Sequence, residues 1–310
     1  MIDENTGLQK YRVTMISRIR IAFATALLAI NSIVHILPLL VFALIKLLIP
    51  LTAARNSVEW ILMSLAASWI GFNSFMFRFF TSTRLQVTGT IPDARDGHFL
   101  VICNHQSWVD IPVLQMLFNR QLPLLRFFLK SQLIWVPLLG LAWWALDFPF
   151  MKRYSRETLA KRPQLAGRDI EATRKACRKF RHIPVAIMNF VEGTRFSMAK
   201  HSAQQSPYNN LLKPRSGGIA FVLDAMGDST ERMVDVTIVY PHGQPSLFDL
   251  FANRVAEIRV DIRERPIPED FRHGDYQNDT QFRQRFQQWI NALWAEKDQR
   301  IEQIGASGKP

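Results

Sequence analysis

Cysteine is nearly absent from this chain of 310 residues, which contains only Cys103 and Cys177. Two cysteines build no disulfide framework, and neither lies in a spacing typical of zinc ligands, so we predict no metal site. The sequence also lacks the G-x-S-x-G motif of serine hydrolases, any nucleic-acid-binding motif and any internal repeat. These absences argue against a zinc enzyme, a serine hydrolase and a repeat scaffold.

Acidic residues are outnumbered by basic ones, 26 to 38, which gives a formal net charge of +12. Such an excess attracts polyanions, and nucleic acid and an anionic lipid surface are the two candidates. The excess is concentrated in residues 152–181, which hold eleven Lys and Arg against three acids. This segment is either a solvated helix face or a face that meets a membrane or a phosphate.

Hydrophobic residues make up 48% of the chain, and the mean hydropathy is close to zero. That value is high for a soluble enzyme and low for a transporter with many spans. We predict a water-facing domain with an apolar appendage, and the apolar segments favour lipid over nucleic acid as the anionic partner. A generally basic, soluble surface is the alternative.

The longest uncharged run extends from Ile21 to Ile45, and its 25 residues exceed the ~20 that a helix needs to cross a bilayer. Pro38 should kink this helix. A second run, Ile61 to Phe77, has 17 residues and lies at the lower limit. We predict that residues 1–80 form two anchoring helices, which either span the membrane or dip into one leaflet as a hairpin. Two buried core helices are the alternative.

No small-residue cleavage motif follows the first run, so we expect no removed signal peptide. Both ends of the helix pair should lie on one side of the membrane. The cations that precede the first run place that side in the cytoplasm; they are Lys10, Arg12, Arg18 and Arg20.

Residues 81–310 are predicted to form a catalytic domain, because β-rich stretches alternate with helical patterns from Arg84 onward. The predicted strands are Leu85–Thr88, Phe99–Cys103, Phe127–Lys130, Val185–Val191, Val234–Tyr240 and Glu257–Ile262. The predicted helices are Ile111–Asn119, Asp169–Phe180, Gly217–Met226 and one that begins at Asp279 or Thr280. This alternation predicts an α/β fold, a mixed sheet flanked by helices. The uncharged residues 131–146 should form a buried or membrane-facing wall.

A candidate general base follows the second predicted strand, in the stretch from Asn104 to Asp110. His105 and Asp110 would point about 140° apart on one helix, so they can meet only if His105 lies on a loop and Asp110 begins a helix. A carboxylate in that position would hold the imidazole with one nitrogen free to take a proton. Cys103, two residues before the histidine in an apolar strand, is predicted to be a buried structural thiol.

A candidate anion site follows another predicted strand, in the sequence Glu192-Gly193-Thr194-Arg195. Glycine permits a tight turn, arginine offers a fixed fork for a phosphate, and threonine adds a hydroxyl. Glu192 could orient a cation or a substrate hydroxyl. An ordinary surface turn with an ion pair is the alternative. A third stretch, Phe148 to Arg153, runs from apolar residues into a cation pair, as expected of a strand that ends at an anionic headgroup. A core strand with a solvated end is the alternative.

These three stretches together resemble the glycerolipid acyltransferases of the lysophosphatidate acyltransferase type, and most closely the YihG-type bacterial members. The family's H-x-x-x-x-D block is present as His105 to Asp110, its E-G-T-R block as Glu192 to Arg195, and the arginine of a third block as Arg153. Smaller matches are Asn104, Lys130, Leu133, Pro137, Gly140 and the tail Trp294 to Asp298. The resemblance covers about residues 85–300.

The resemblance implies transfer of an acyl group from acyl carrier protein or coenzyme A thioester to a lysophospholipid, with no cofactor, at the inner membrane of a bacterium. His105 would be the base and Asp110 its partner. Substrate-binding roles fall to Arg153, Glu192, Gly193, Thr194 and Arg195, with Asn104 and Lys130 in support. The acceptor expected from the resemblance is 1-acyl-glycerol-3-phosphate, and the expected partners include anionic membrane lipid and exclude nucleic acid.

One block departs from the family pattern, which has V-P-V in an apolar strand where this chain reads Val234-Asp235-Val236. That variant resembles a subgroup with lysocardiolipin acyltransferase-like members. It leaves open the acceptor lipid but not the type of reaction. Thioester hydrolysis, a basic membrane protein without enzymatic activity, and an inactive scaffold remain as rival interpretations.

Overall fold

The computed structural model describes residues 15–151, 180, 183–230 and 232–306. The helices are α1 (Met15–Leu48), α2 (Thr52–Phe80), α3 (Asp110–Phe118), α4 (Leu139–Ala145), α5 (Met198–Gln204), α6 (Gly217–Met226), α7 (Leu247–Phe251) and α8 (Thr280–Ala306). The strands are β1 (Arg84–Gly89), β2 (His98–Cys103), β3 (Leu125–Phe127), β4 (Leu129–Lys130), β5 (Phe150–Met151), β6 (Val185–Phe190), β7 (Arg232–Val239) and β8 (Glu257–Pro266). Short 3-10 turns cover Ser131–Trp135, Gly227–Ser229 and Glu269–Phe271.

The main sheet has six strands in the order β1-β8-β7-β2-β6-β3. Strands β7, β2, β6 and β3 run parallel to one another, while β7 and β8 pair antiparallel. The predicted mixed sheet flanked by helices is therefore confirmed. Because β2, β6 and β7 are parallel, their carboxyl ends lie at the same edge of the sheet, and loops from three distant parts of the chain meet there.

The predicted strand Phe127–Lys130 is wrong as a single element. β3 ends at Phe127 and pairs with β6, whereas β4 pairs with β5 in a separate two-stranded sheet. The backbone amide of Leu129 donates to the carbonyl of Pro149 at 2.9 Å, which directs the chain away from the main sheet. The predicted helix Asp169–Phe180 and the basic segment 152–181 lie almost wholly outside the described residues.

Two hydrophobic cores cover the two faces of the main sheet. On one face, Ile36 and Leu39 of α1 and Leu62 of α2 join a cluster that includes Val101 and Val113. On the other face, α6 and α8 pack against residues of β2, β6 and β7. The apolar helix pair thus shares a core with the sheet, and the division into 1–80 and 81–310 stays a prediction.

Both apolar helices, Met15–Leu48 and Ala53–Phe80, are long and apolar enough to cross a membrane by length and composition. They pack against each other through polar groups as well as apolar ones. The side-chain amide of Asn31 donates to Asn73 Oδ1 at 2.7 Å, and a ring nitrogen of His35 lies 3.0 Å from the hydroxyl of Ser68. Such pairs satisfy polar groups within an otherwise apolar interface.

A buried lysine ties the tail helix to the departing block of β7. The ammonium of Lys297, on α8, contacts Asp235 and donates to the carbonyl of Val236 at 2.6 Å. Arg265 of β8 donates to the second carboxylate oxygen of Asp235 at 3.0 Å. The aspartate that replaces the family's proline is therefore neutralised from two sides, one of them the tail motif Trp294 to Asp298.

Candidate active site

His105 and Asp110 meet in the geometry that the spacing predicts. His105 lies on the loop after β2, Asp110 is the first residue of α3, and Nδ1 of the imidazole is 2.8 Å from Asp110 Oδ2. The carboxylate fixes the proton on Nδ1, because only an N–H can donate to it, and Nε2 is left free to accept a proton. The histidine side chain is 14% exposed, and that of Asp110 is fully buried.

The loop itself holds the carboxylate in place. Asp110 Oδ2 also accepts from the backbone amides of Gln106 at 2.7 Å and Ser107 at 2.9 Å. Its other oxygen, Oδ1, accepts from the hydroxyl of Tyr240 at 2.6 Å. Four donors therefore surround a carboxylate that water does not reach, and both of its oxygens are hydrogen-bonded.

Tyr240 was not among the predicted site residues, although it closes the strand predicted over Val234–Tyr240. It follows β7, whose carboxyl end lies beside that of β2. Burial, together with the charge of Asp110, raises the pKa of the Tyr240 phenol well above its usual value, so the hydroxyl keeps its proton and acts as the donor.

The turn Glu192–Arg195 clamps the backbone of His105. Glu192 Oε1 accepts from the amide of His105 at 2.7 Å, and the amide of Phe196 donates to the carbonyl of His105 at 2.8 Å. Glu192 Oε2 accepts from the amide of Leu212 at 2.9 Å. The predicted contact of Glu192 with a cation or substrate is not what the geometry favours, because the carboxylate is fully buried and both of its oxygens face backbone amides.

Burial sets the protonation of two groups near the base. It raises the pKa of Glu192 to about 7, although the two backbone hydrogen bonds oppose the shift. It also raises the pKa of Cys103, whose thiol is fully buried and lies 3.6 Å from Asn104 Oδ1. A buried, protonated thiol is a poor nucleophile, which agrees with a structural Cys103.

The imidazole rests on an aromatic ring that sequence reasoning also missed. Phe190, the last residue of β6, stacks against His105 with ring centroids 3.9 Å apart and planes inclined by 15°. The side chain of Asn104 joins β2 to β7, since its amide donates to the carbonyl of Ile238 at 2.8 Å and its oxygen accepts from the amide of Ile238 at 2.9 Å. Neighbouring strand ends therefore hold the loop from both sides.

Cations gather on the outer side of the Glu192–Arg195 turn. The guanidinium of Arg195 lies 4.3 Å above the ring of Trp108, which is half exposed. The ammonium of Lys200 donates to Thr194 Oγ1 at 2.9 Å and to the carbonyl of Arg195 at 2.8 Å. Gly193 adopts the left-handed conformation with φ of 70°, and a Cβ there would come within 3.2 Å of the Arg215 side chain.

Lys130 and Arg153 are not brought into this cluster by the described residues. Lys130 is the exposed last residue of β4, paired with Met151 of β5. Arg153 lies outside the described residues. Among the residues that the structure does describe, no group of three His, Cys, Asp or Glu side chains is arranged to hold a metal ion.

Comparison with known proteins gives a consistent set of relatives. The model of a family described as "Acyltransferase" matches residues 84–241. The crystal structure of the 1-acyl-sn-glycerophosphate (LPA) acyltransferase PlsC from Thermotoga maritima superposes with a TM-score of 0.55 and 16% identity, over 95% of this chain and 100% of that one. At that identity the likeness shows the fold.

Three curated relatives differ in the acceptor that their names give. The chain is 24% identical over 258 residues to 2-acyl-1-lysophosphatidylinositol acyltransferase of Saccharomyces cerevisiae, covering 67% of this chain and 62% of that protein. It is 24% identical over 268 residues to lysocardiolipin acyltransferase 1 of Gallus gallus, covering 81% and 65%. It is 28% identical over 210 residues to probable 1-acyl-sn-glycerol-3-phosphate acyltransferase 5 of Arabidopsis thaliana, covering 63% and 52%. The match therefore spans less than two thirds of these relatives' length.

Proposed function

Because the chain belongs to the acyltransferase family, whose model matches residues 84–241, we propose that it transfers an acyl group from a thioester donor to the free hydroxyl of a lysophospholipid. The donor is acyl carrier protein or coenzyme A thioester, and the acceptor is 1-acyl-glycerol-3-phosphate, which becomes phosphatidic acid. The observation that carries the proposal is the 2.8 Å contact between His105 and Asp110, which leaves Nε2 of the histidine free to act as a base.

The proposed reaction includes two proton transfers, one to His105 and one from it. Nε2 of His105 takes the proton of the acceptor hydroxyl as that oxygen attacks the carbonyl carbon of the thioester. The C–S bond breaks, and the histidine returns the proton to the leaving thiolate. Asp110 stabilises the imidazolium between the two steps, and a positioned base of this kind typically contributes ~10²–10⁴ in rate.

The turn after β6 supplies the acceptor site in this proposal. Arg195 binds the phosphate, Gly193 lets the backbone come close to it, and Thr194 lies beside the ammonium of Lys200. Glu192 positions the backbone of His105 from beneath and does not touch the substrate. Lys130 and Arg153 stay candidates for a second headgroup contact.

The helix pair is proposed to lie in one leaflet of the bacterial inner membrane, with the catalytic domain in the cytoplasm. The helix pair contacts the catalytic domain near the link between α1 and α2, where the ammonium of Lys46 contacts Glu59 and lies 3.6 Å from Asp147. Near the other end, α1 packs on α7, and the amide of Ser82 donates to Asn253 at 2.6 Å. Because the domain contacts the helix pair at both ends, two helices that crossed the bilayer would place part of the catalytic domain within the bilayer.

One labelling experiment separates the hairpin from the two spans. In the variant Leu51→Cys, which places a thiol in the link between α1 and α2, that thiol should not be labelled by a membrane-impermeant maleimide added to the periplasmic side of spheroplasts. Labelling from that side would show that the helices span the membrane.

The reaction is tested with the purified full-length chain and a panel of lysolipids, each offered with acyl-carrier-protein and coenzyme A thioesters. Mass spectrometry should show a new diacyl product that depends on the lysolipid, with the phosphomonoester acceptor preferred. Release of free fatty acid at an equal rate with and without lysolipid would identify a thioester hydrolase instead. A diacyl product from lysocardiolipin or lysophosphatidylinositol alone would keep the reaction and change the acceptor.

A further inference from the structure

The catalytic domain carries an exposed apolar segment of its own, apart from α1 and α2. Residues 131–146, which cover the turn Ser131–Trp135 and helix α4, contain no charged side chain. Trp135 is 85% exposed, and Leu141 and Trp144 are half exposed. We call these three residues the Trp135–Trp144 surface. The small residues of α4, Gly140, Ala142 and Ala145, are the buried ones.

This surface continues the apolar outer side of α1. Ala142 and Trp143 border the same small cavity as Leu39 of α1, and Trp144 borders a depression shared with Ala43 and Leu47. At the same level α1 exposes further apolar side chains, between 51% and 74% accessible: Leu37, Val41, Leu44 and Leu48. The two helices therefore present adjoining apolar surfaces, and the charged side chains of Lys46, Arg55 and Asp147 also line the depression beside Trp144.

We propose that the Trp135–Trp144 surface inserts into the lipid leaflet beside α1. Two features favour lipid over a protein partner. The segment 131–146 contributes no charged side chain of its own, whereas a protein interface typically has a polar rim, and tryptophan is the residue enriched where protein meets the lipid headgroups. Insertion of α4 gives the protein a second membrane contact beside the helix pair. This second contact fixes the orientation of the catalytic domain relative to the membrane surface.

The inference needs only that α1 faces lipid, and it stands or falls separately from acyl transfer. Full-length protein is bound to phosphatidylglycerol-containing vesicles with brominated acyl chains, which quench tryptophan fluorescence at close range. Wild type is compared with Trp135→Phe and Trp144→Phe. Trp289→Phe is the matched control, because Trp289 lies on α8, across the sheet, stacked on Phe271.

Each tryptophan removed from the surface should lower the quenched part of the emission, whereas Trp289→Phe should remove only unquenched emission. If wild type floats with the vesicles and the emission of Trp135 and Trp144 is unquenched, the proposal is overturned. If these two tryptophans are shielded from aqueous iodide as well, a second copy or another protein covers the surface, which also overturns it. Failure of wild type to bind vesicles would overturn the membrane location of α1 itself.

A second inference, which rests on the proposed function, concerns Tyr240. Its hydroxyl is the one side-chain donor to Asp110 besides His105 among the described residues, at 2.6 Å, and both groups are buried. Tyr240 directly follows β7, the strand in which this chain departs from the V-P-V pattern. The geometry points to Tyr240 as a positioning residue that limits the negative charge on Asp110 felt by His105.

Removal of the hydroxyl in Tyr240→Phe leaves Asp110 with three donors and a more concentrated charge. The protonated form of His105 is then held more strongly. We expect kcat/KM to fall about tenfold at neutral pH, and the acid limb of its pH profile to move to higher pH. Of the other titratable groups near Asp110, Glu192 has a pKa of about 7 and can contribute to this limb, whereas Cys103 keeps its proton throughout it because burial raises its pKa.

Tyr208→Phe provides the control, since Tyr208 donates to the carbonyl of Asn291 at 3.3 Å on the opposite face of the sheet. It should leave the acid limb in place. Loss of rate in Tyr240→Phe with an unmoved limb would reduce Tyr240 to a packing role and overturn the inference. Complete inactivity of wild type on every lysolipid would instead count against the proposed function, so the two failures are distinguishable.

Discussion

The loop after β2 and the turn after β6 leave adjacent parallel strands at one edge of the sheet, but their carboxylates face in different directions. Asp110, the first residue of α3 after that loop, turns Oδ2 to the imidazole of His105 and to two amides of the loop, and it turns Oδ1 to Tyr240. Glu192 in the turn directs both oxygens to backbone amides, those of His105 and Leu212. Both carboxylates are fully buried, so burial alone does not identify the one that takes part in the chemistry.

The different partners of Asp110 and Glu192 indicate that Asp110 takes part in proton transfer and that Glu192 supports the structure of the site. Asp110 contacts the side chain of His105 and so affects how the imidazole accepts a proton. Glu192 contacts the backbone of His105 and so affects where the residue lies. The cation Arg195 then sits three residues past Glu192, outside the buried layer. Substitutions should accordingly affect rate at the loop, acceptor binding at the outer turn, and stability at Glu192.

The largest effect is expected for His105→Ala, which removes the base from the loop. The rate of acyl transfer should fall by ~10²–10⁴, while the protein stays bound to membranes. Initial rates with saturating donor and acceptor measure the change. His98→Ala is the control, because His98 lies at the other end of β2 and its ring bonds the carbonyl of Phe180 at 2.8 Å. Equal rates in the two variants would show that His105 is not the general base.

The next effect belongs to the outer turn. Arg195→Ala should raise the KM for a phosphorylated acceptor by about 10- to 100-fold and leave the KM for the thioester donor nearly unchanged, since a charge-assisted pair to phosphate is lost. Arg232→Ala serves as the matched change, because Arg232 is exposed and pairs with Glu264 at 3.0 Å. A rise of similar size for both substrates would argue that Arg195 supports the fold rather than the acceptor.

Local spacing was enough to predict much of this arrangement. The strands before His105 and Glu192 follow from short apolar runs, and α6 has the predicted bounds Gly217–Met226. The five-residue spacing from His105 to Asp110 predicts a loop followed by a helix start, because one continuous helix would separate the two side chains. All of these inferences rely on neighbours within about ten residues.

The missed contacts join residues that are far apart in the sequence. Tyr240 reaches Asp110 only because β7 lies beside β2, and Lys297 finds Asp235 only because α8 packs on β7. Strand order decides both contacts, and hydrophobic periodicity carries no information on strand order. Leu212, whose amide holds Glu192, leaves no sequence signal, since a backbone donor is the same in every residue but proline.

A smaller effect tests whether the turn after β6 needs its backbone shape. Gly193→Ala places a side chain at φ of 70°, which costs about 1–2 kcal/mol, and lowers Tm by roughly 2–6 °C. The acceptor KM should rise several-fold as the turn shifts. Gly227→Ala has a similar φ of 58° on the other side of the molecule. It should lower Tm at least as much, because its ψ of −139° lies in a region that is almost exclusive to glycine, but leave the acceptor KM unchanged. A KM change in both variants would make the effect one of general stability.

The last comparison separates the two buried carboxylates by pH. Burial raises the pKa of Glu192 to about 7 from an ordinary value of 4.5, so the folded protein keeps a proton that the unfolded chain has released. The resulting stabilisation is complete below about pH 4.5 and is lost as the pH rises through 7, a change of at most about 3 kcal/mol. Glu192→Gln cannot titrate there.

The Tm of wild type minus that of Glu192→Gln should therefore decrease steadily between pH 5 and pH 8. The sign matters because a carboxylate whose charged form was stabilised by partners, as an ion-paired one is, would give an increase over a lower pH range. Glu296→Gln, at a half-exposed position on α8 that pairs with Arg265 at 2.7 Å, is the control for the removal of one carboxylate charge. A flat line for Glu192→Gln would mean that the backbone hydrogen bonds of Glu192 offset its burial, so that the folded and the unfolded chain release this proton at the same pH. Glu192 would still differ from Asp110 in the groups that it contacts.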